Sequence, residues 1–177
     1  MSELRKANTD LPYFITLTVV DWIDIFTRQV YCDKIIESLN FCIKNKGLIV
    51  FEYVIMPSHI HMIVQSLDGN LNFILRDFKS FTAKQIIKEI EENHQYESRS
   101  KWLLHMFEFN AKYYRQNSKY MFWQKTNYPI ELNSAHIQYQ KTEYIRNNPV
   151  EAGLVTDGEF WQYSSANPNS PLRTSGM

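Results

Sequence analysis

The chain has 177 residues, of which 44% are hydrophobic and 21% are charged, and this balance is typical of one globular domain with its own core. Its 19 basic and 19 acidic residues give no net charge, so bulk charge does not indicate a nucleic-acid partner, and such a partner must bind a local patch. No apolar run approaches the roughly 20 residues that a bilayer span requires, and the first residues do not resemble a signal peptide. We therefore expect no membrane association and a cytoplasmic location.

The first part of the chain predicts a strand followed by a helix. Residues 1–10 look like a flexible lead-in to the domain. Residues 13–20 are rich in β-branched and aromatic side chains, which favours a strand. A loop with exposed-looking aromatics follows over residues 21–27. Apolar residues then recur at helical spacing over residues 28–46, and Gly47 is suited to end that helix.

A pair of histidines opens the second of two adjacent predicted strands. Residues 48–55 form a hydrophobic run, Pro57 and Ser58 interrupt it, and His59 and His61 begin the next run. In a strand these histidines point to the same face, with Cα atoms roughly 6.6 Å apart. Two imidazoles so placed can converge on one ion or one phosphate. An isolated pair of this kind is more often half-buried in a core, so the pattern needs support from elsewhere in the chain.

The middle of the chain predicts two helices and two short strands. Residues 71–92 and 101–112 show helical spacing of their apolar side chains, with a polar loop between them. Residues 120–124 are typical of a short strand, and residues 128–132 of a weaker one.

Five basic residues of this region are candidates for contact with DNA. Arg76, Lys84 and Lys88 lie opposite the apolar face of the predicted helix, where a solvated surface is the ordinary interpretation and a phosphate-contacting stripe the functional one. Arg115 and Lys119 lie in a segment that interleaves tyrosines with basic and polar residues. That segment favours either a surface loop or contact with a single strand.

The last helix should begin at residue 133 or 134 and end at or before Asn148, because Pro149 disfavours helical geometry in the preceding residue. We expect one domain over residues 11–165 and a flexible tail over residues 166–177, which is rich in Pro, Ser and Asn. The order of elements predicts an α+β fold with an antiparallel sheet. A ferredoxin-like arrangement, with helices on one face, fits that order.

A second motif lies near the end of the last predicted helix. Tyr144 and Asn148 are four residues apart, so a phenol and a carboxamide project from one helical face. Alone this pair is weak evidence, since a tyrosine near a helix end usually serves packing.

The histidine and tyrosine motifs belong to an ordered series of segments. The series comprises residues 56–64 (MPSHIHMIV), 122–124 (FWQ), 144–155 (YIRNNPVEAGLV) and 161–165 (WQYSS). Together these segments resemble the single-tyrosine transposases of the HUH superfamily, especially the REP-associated tyrosine transposases. The resemblance extends over about residues 11–165, although the stretch 93–119 does not contribute to it.

The resemblance implies a ferredoxin-like sheet with the histidines on a central strand. It further implies that His59, His61 and Asn148 hold a divalent ion, Mg²⁺ or Mn²⁺, and that Tyr144 is the nucleophile. The implied substrate is single-stranded DNA, often carrying a hairpin, which is nicked and transferred through a 5′-phosphotyrosine. Relatives of this kind work as monomers or as dimers that exchange the tyrosine helix, so a homodimer is one expectation.

Two other classes of function stay open from the sequence. One is a DNA- or RNA-binding module of the same fold without catalysis, against which the four intact motif residues argue. The other is a metal-dependent hydrolase with a water nucleophile, which would need an acidic ligand or base. No Asp or Glu lies within residues 56–64. The product separates the three: a protein–DNA adduct, no product, or a free 5′-phosphate.

Overall fold

A computed structural model describes residues 11–116 and 118–176, which form a four-stranded sheet covered by helices. The predicted lead-in over residues 1–10 lies outside the described residues. The strands are β1 (Tyr13–Thr18), β2 (Leu48–Ile55), β3 (His59–Ser66) and β4 (Ile130–Glu131). The α-helices are α1 (Gln29–Lys46), α2 (Leu71–Glu92), α3 (Ser100–Tyr113) and α4 (Ala135–Glu151).

The sheet is antiparallel throughout, with the strand order β2-β3-β1-β4. This order and the succession of elements confirm the α+β fold with a ferredoxin-like sheet. β3 is a central strand, and its histidines lie opposite two threonines of β1: His59 pairs with Thr18 and His61 with Thr16. The register therefore gives the histidine face of the sheet two hydroxyl groups as neighbours.

The two faces of the sheet are covered by different helices. Ile60 and Met62 of β3 belong to the large core that includes α1, α2 and α3, whereas His59 and His61 alternate to the other face. On that second face lies a smaller apolar cluster of Phe14, Val54, Met56, Ile63, Leu132 and Ile145. We expected helices on one face of the sheet only. α4 instead packs on the second face, where Ile145 covers the apolar residues.

Several predicted boundaries are confirmed. β2 covers the predicted residues 48–55, and α2 the predicted residues 71–92. Gly47 ends α1 in a left-handed conformation with φ of 67°, which a residue without Cβ adopts at little cost. Among the residues that the structure describes, no helix is long and apolar enough to cross a membrane.

The strand predicted over residues 120–124 is wrong. Trp123 forms an isolated bridge with Val19, and the segment is otherwise irregular. The backbone N–H of Met121 donates to Phe107 of α3, and the Trp123 indole donates to Thr82 of α2. Backbone bonds from Val20 to Phe122 and from Gln124 to Thr18 flank the bridge, but the pairing extends no further, so no regular strand forms. The weaker strand predicted over 128–132 exists as the two residues of β4.

The predicted end of the last helix is also wrong. α4 begins at Ala135, close to the predicted start, and the hydroxyl of Ser134 caps it by accepting from the N–H of Ile137. The helix then continues through Pro149 to Glu151. Pro149 is buried, and the carbonyl of Asn148 still accepts from the N–H of Ala152. Packing of the proline against the fold thus outweighs the local preference of the residue before it.

Residues 166–176, expected to belong to a flexible tail, contact β2 and the core. Ser165 donates its N–H to the carbonyl of Tyr53, and Ser175 donates to Val50. The side chain of Leu172 is buried. These contacts satisfy backbone groups that an edge strand would otherwise leave open, which a reading of composition alone does not predict.

Candidate active site

The two histidines of β3 and a tyrosine of α4 meet on the second face of the sheet. The ring centroids of His59 and His61 are 4.6 Å apart. The hydroxyl of Tyr144 lies 3.4 Å from Nε2 of His61, and the centroids of these two rings are 5.1 Å apart. The structure thus brings Tyr144 to a pair of histidines that lie more than 80 residues earlier in the sequence, since Tyr144 and His61 are separated by 83 positions.

The turn before the histidines is fixed by backbone hydrogen bonds to the first part of the chain. The carbonyl of Pro57 accepts from the N–H of Phe26, and the carbonyl of Ser58 accepts from Val19. Met56 donates its N–H to His59, closing the turn. A rigid turn sets the point at which β3 begins, and with it the face to which both imidazoles point.

Each imidazole has a hydroxyl at its Nδ1 atom. Thr16 Oγ1 lies 2.9 Å from Nδ1 of His61, and Ser58 Oγ lies 3.1 Å from Nδ1 of His59. With the Nδ1 atoms bonded in this way, Nε2 of each ring is the nitrogen left for a ligand. Within the described part of the chain, the buried hydroxyl of Thr18, opposite His59, has no partner.

Both imidazoles are neutral at neutral pH. Burial lowers the pKa of His59 to about 4. Burial, followed by the charges of His59 and Lys141, lowers the pKa of His61 to about 3. Because a metal binds the unprotonated nitrogen, protons do not compete with a metal at this site near neutral pH.

An ion pair holds α4 against the edge strand. Arg146 Nη2 lies 2.6 Å from Oε1 of Glu52, and its Nε lies 3.3 Å from Oε2. The hydroxyl of Ser165 donates to the same carboxylate. The carboxylate raises the pKa of Arg146. Ile145, the residue before Arg146, is fully buried against the sheet. Together these contacts fix the rotation of α4 about its axis and so set the direction of Tyr144.

A lysine adds positive charge beside the phenol. The ammonium of Lys141 lies 4.8 Å from the ring centroid of Phe14 and 5.5 Å from that of Tyr144. Phe14 itself stacks on His61, with centroids 5.4 Å apart. The phenol is 40% exposed, so a substrate has access to it.

The residues present fit a divalent ion with few protein ligands. The described residues contain no group of three or more His, Cys, Asp and Glu side chains that could hold a metal. The expected set is instead two imidazoles and the amide of Asn148. Asn148 lies one helical turn after Tyr144 and is partly buried. Nε2 of His61 contacts only the hydroxyl of Tyr144, at 3.4 Å, and the hydroxyl of Thr18 has no partner among the described residues, which agrees with a site for a hydrated ion.

The predicted basic residues lie elsewhere. Arg76, Lys84 and Lys88 are exposed on α2, in the layer on the other side of the sheet from the histidines. Two of them have carboxylate partners, since Arg76 pairs with the adjacent aspartate and Lys88 with a glutamate one turn on. Arg115 and Lys119 are exposed in the segment after α3. The structure does not bring these five residues into the cluster of histidines and tyrosine.

Several residues of the site are not evident from motifs. Thr16 and Lys141 could be found from periodicity, since Thr16 alternates onto the histidine face of β1 and Lys141 precedes Tyr144 by one turn. The ring centroids of Trp22 and His59 are 5.2 Å apart. In the sequence, only the position of Trp22 in a loop with other aromatic residues indicated that it could be exposed. The partner of Arg146 could not be found, because pairing with Glu52 depends on the tertiary fold.

Comparison with known proteins supports the fold. No protein-family model matches the chain, and no curated protein matches it. Among solved structures, it is similar to a REP-associated tyrosine transposase bound to a REP hairpin, with a TM-score of 0.63 and 17% sequence identity. The match covers 100% of this chain and 93% of that one. At this identity, the likeness shows that the two proteins share a fold.

Proposed function

We propose that this protein nicks and rejoins single-stranded DNA, with Tyr144 as the nucleophile and a divalent ion at His59 and His61. The observation that carries the proposal is the position of the Tyr144 hydroxyl, 3.4 Å from the Nε2 atom that His61 has left for a ligand. A phenol, two neutral imidazoles and an ammonium on one face of the sheet form a set suited to a phosphodiester. The fold shared with a transposase supports the same function.

Tyr144 supplies the attacking atom. Its oxygen attacks the phosphorus, the bond from phosphorus to the 3′ oxygen breaks, and the 3′ oxygen takes up a proton to leave as a hydroxyl. The phenol proton passes to water, to which the half-exposed ring has access. The product is a 5′-phosphotyrosine that conserves the energy of the phosphodiester, so that a 3′-hydroxyl can later reverse the step and join strands.

His59, His61 and Asn148 would hold the ion, Mg²⁺ or Mn²⁺. When bound, such an ion neutralises charge on the phosphate as the pentavalent transition state forms. Thr16 and Ser58 orient the two imidazoles through their Nδ1 atoms. Lys141 adds a positive charge beside the phenol, where a tyrosyl phosphate would form.

The shape of the molecule suits a polymer more than a small substrate. A cavity of about 610 Å³ does exist between α1 and α2, but it is lined by residues such as Phe41 and Phe81, in the layer behind the sheet. Beside the histidines, in contrast, the side chains of Tyr144 and Trp22 are 40% and 58% exposed. We propose that a DNA strand, carrying a hairpin, crosses the histidine face. Arg76, Lys84, Lys88, Arg115 and Lys119 would then have to contact a second part of the DNA.

One chain contains every residue that the proposed reaction needs. α4 packs on the sheet of its own chain through Ile145 and Arg146, so Tyr144 reaches the histidines without exchange of helices. A homodimer is therefore not required for cleavage, and we propose that a monomer is active.

The products of the reaction test the proposal. A hairpin-containing single strand, labelled at its 5′ and 3′ ends in separate samples, is incubated with Mg²⁺ or Mn²⁺ and run on a denaturing gel. We expect a covalent protein–DNA adduct and a fragment with a 3′-hydroxyl, both absent with EDTA and with His61→Ala. Asn148→Ala should lower the yield less severely, because water can replace one neutral ligand. A free 5′-phosphate without adduct would instead indicate a water nucleophile, and DNA binding without any cleavage a binding module.

A further inference from the structure

Beside His59, the indole of a tryptophan is exposed to solvent. Trp22 is 58% exposed, and its ring lies edge-to-face against His59 at a centroid distance of 5.2 Å. Its neighbours Val20 and Ile23 are buried, so the loop itself is anchored in the core. An indole in this position gains little from burial, which excludes core packing as the reason for its presence.

The backbone at this indole is strained. Asp21 and Trp22 are consecutive residues with φ of 52° and 55°. Left-handed geometry is rare for residues other than glycine and Asn, and for a bulky residue such as tryptophan it is an outlier. Strain of this kind persists where the surroundings hold it, and it concentrates at functional sites.

The surroundings hold the turn through specific contacts. The N–H of Trp22 donates to the carbonyl of Val19, and Ile23 donates to Val20. The side-chain amide of Asn110, a residue of α3 that is 2% exposed, donates to the carboxylate of Asp21 at 2.7 Å. These bonds fix the turn without using the indole, whose exposed surface is left available to a ligand.

We propose that Trp22 is a stacking platform for an unpaired base next to the scissile phosphate. The location of that phosphate rests on the proposed function, because the indole borders the histidine that would hold the metal. Every base has a π-face, so an indole can bind a strand with little regard to sequence. A base held there would keep the adjoining phosphate over the histidines, which places the strand for attack by Tyr144.

The substitution Trp22→Gly separates this role from a structural one. Glycine adopts a positive φ without strain, so the fold should be as stable as the parent, or more so. If the indole served the fold, its removal would lower the melting temperature. Trp22→Asn, which also tolerates a left-handed backbone, is a second variant should the glycine protein not fold. Trp22→Phe keeps an aromatic ring.

Binding is best measured in a Tyr144→Phe background, where cleavage does not interfere. The probes are a labelled short oligothymidylate and a strand of equal length built from abasic sites, which keeps the phosphates and lacks the bases. We expect Trp22→Gly to weaken binding of oligothymidylate about 10-fold or more and to leave binding of the abasic strand within about 2-fold. Trp22→Phe should recover most of the affinity. Phe81→Ala, which removes an exposed ring from α2 behind the sheet, is the matched control and should change neither.

Three results would overturn the proposal. These are an equal loss on both strands, no loss on either strand, and a parent protein that does not prefer bases to abasic sites. The proposed function fails differently, through the absence of an adduct with wild-type protein. A base-dependent effect of Trp22 without any adduct would leave a base-binding residue in a protein that does not cleave.

Discussion

The ion pair between Arg146 and Glu52 should stabilise the protein and hold the tyrosine helix in place. Replacing Arg146 with Met leaves the carboxylate of Glu52 without its cationic partner. The side chain of Glu52 is only 10% exposed, whereas that of Arg146 is 47% exposed. Breaking a fully buried pair costs about 3–5 kcal/mol, and an exposed pair contributes about 0–1 kcal/mol. A half-exposed partner places Arg146→Met between these limits, at about 2 kcal/mol. For a domain of this size, that corresponds to a fall in melting temperature of about 4–8 °C.

The assay is thermal unfolding of the two single variants and the double variant. Glu52→Gln removes the charge, so Arg146→Met should cost less in that background, with a coupling of at least about 1 kcal/mol. Arg76→Met is the matched control, because its pairing with Asp77 lies at the surface. We expect the control to leave the melting temperature within about 1 °C.

The reasoning would be refuted if Arg146→Met and Arg76→Met had the same effect, or if the two single substitutions were additive. A second readout follows the position of Tyr144. Arg146→Met loosens α4, so adduct formation should slow even at temperatures where the variant is fully folded. An unchanged rate would show that Ile145 alone fixes the helix.

Three further predictions concern a hydroxyl group, a buried lysine and the basic helix. Thr16→Val removes the hydroxyl that orients the imidazole of His61, so it should weaken Mn²⁺ binding about 10–100-fold, measured by calorimetry. Thr18→Val removes an unpaired hydroxyl and should not destabilise the fold. Burial lowers the pKa of Lys79 to about 8 in the folded protein. Between pH 8 and about 10, this lysine therefore carries its proton in the unfolded chain but not in the folded one. The stability attributable to this lysine therefore rises with pH in that window. The melting temperature of wild type should rise relative to that of Lys79→Met over the same range. Reversing the charge of Lys84 and Lys88 together should weaken binding of hairpin DNA but not adduct formation on a short unstructured strand, as gel-shift and adduct assays would show.

Much of the fold could be predicted because local patterns and tertiary structure agree. β2 and α2 have strong periodicity and clear ends, and Gly47 is a residue that readily ends a helix. Where the sequence misled, tertiary contacts outweighed local preference. Pro149 is helical because it is buried. The segment around Trp123 makes only one bridge, to Val19, and its indole bonds to α2.

The candidate site was predictable only in outline. His59, His61 and Tyr144 follow from motifs, and the structure brings them together. Contacts between residues far apart in the chain, such as the pair of Arg146 with Glu52, cannot be predicted from local sequence patterns. The spacing of apolar residues in α2 likewise does not predict which face of the sheet the helix covers. For that reason the predicted basic stripe falls behind the sheet and not beside the histidines.

The most direct test of the central claim is to identify the residue that carries DNA after the reaction. Wild-type protein is incubated with hairpin-containing single strands and Mn²⁺, digested, and the DNA-bearing peptide is mapped by mass spectrometry. The account predicts a nucleotide on Tyr144, with no adduct for Tyr144→Phe and a normal adduct for Tyr139→Phe, which alters an exposed tyrosine of the same helix. A nucleotide on another residue, or an adduct that persists in Tyr144→Phe, would contradict it.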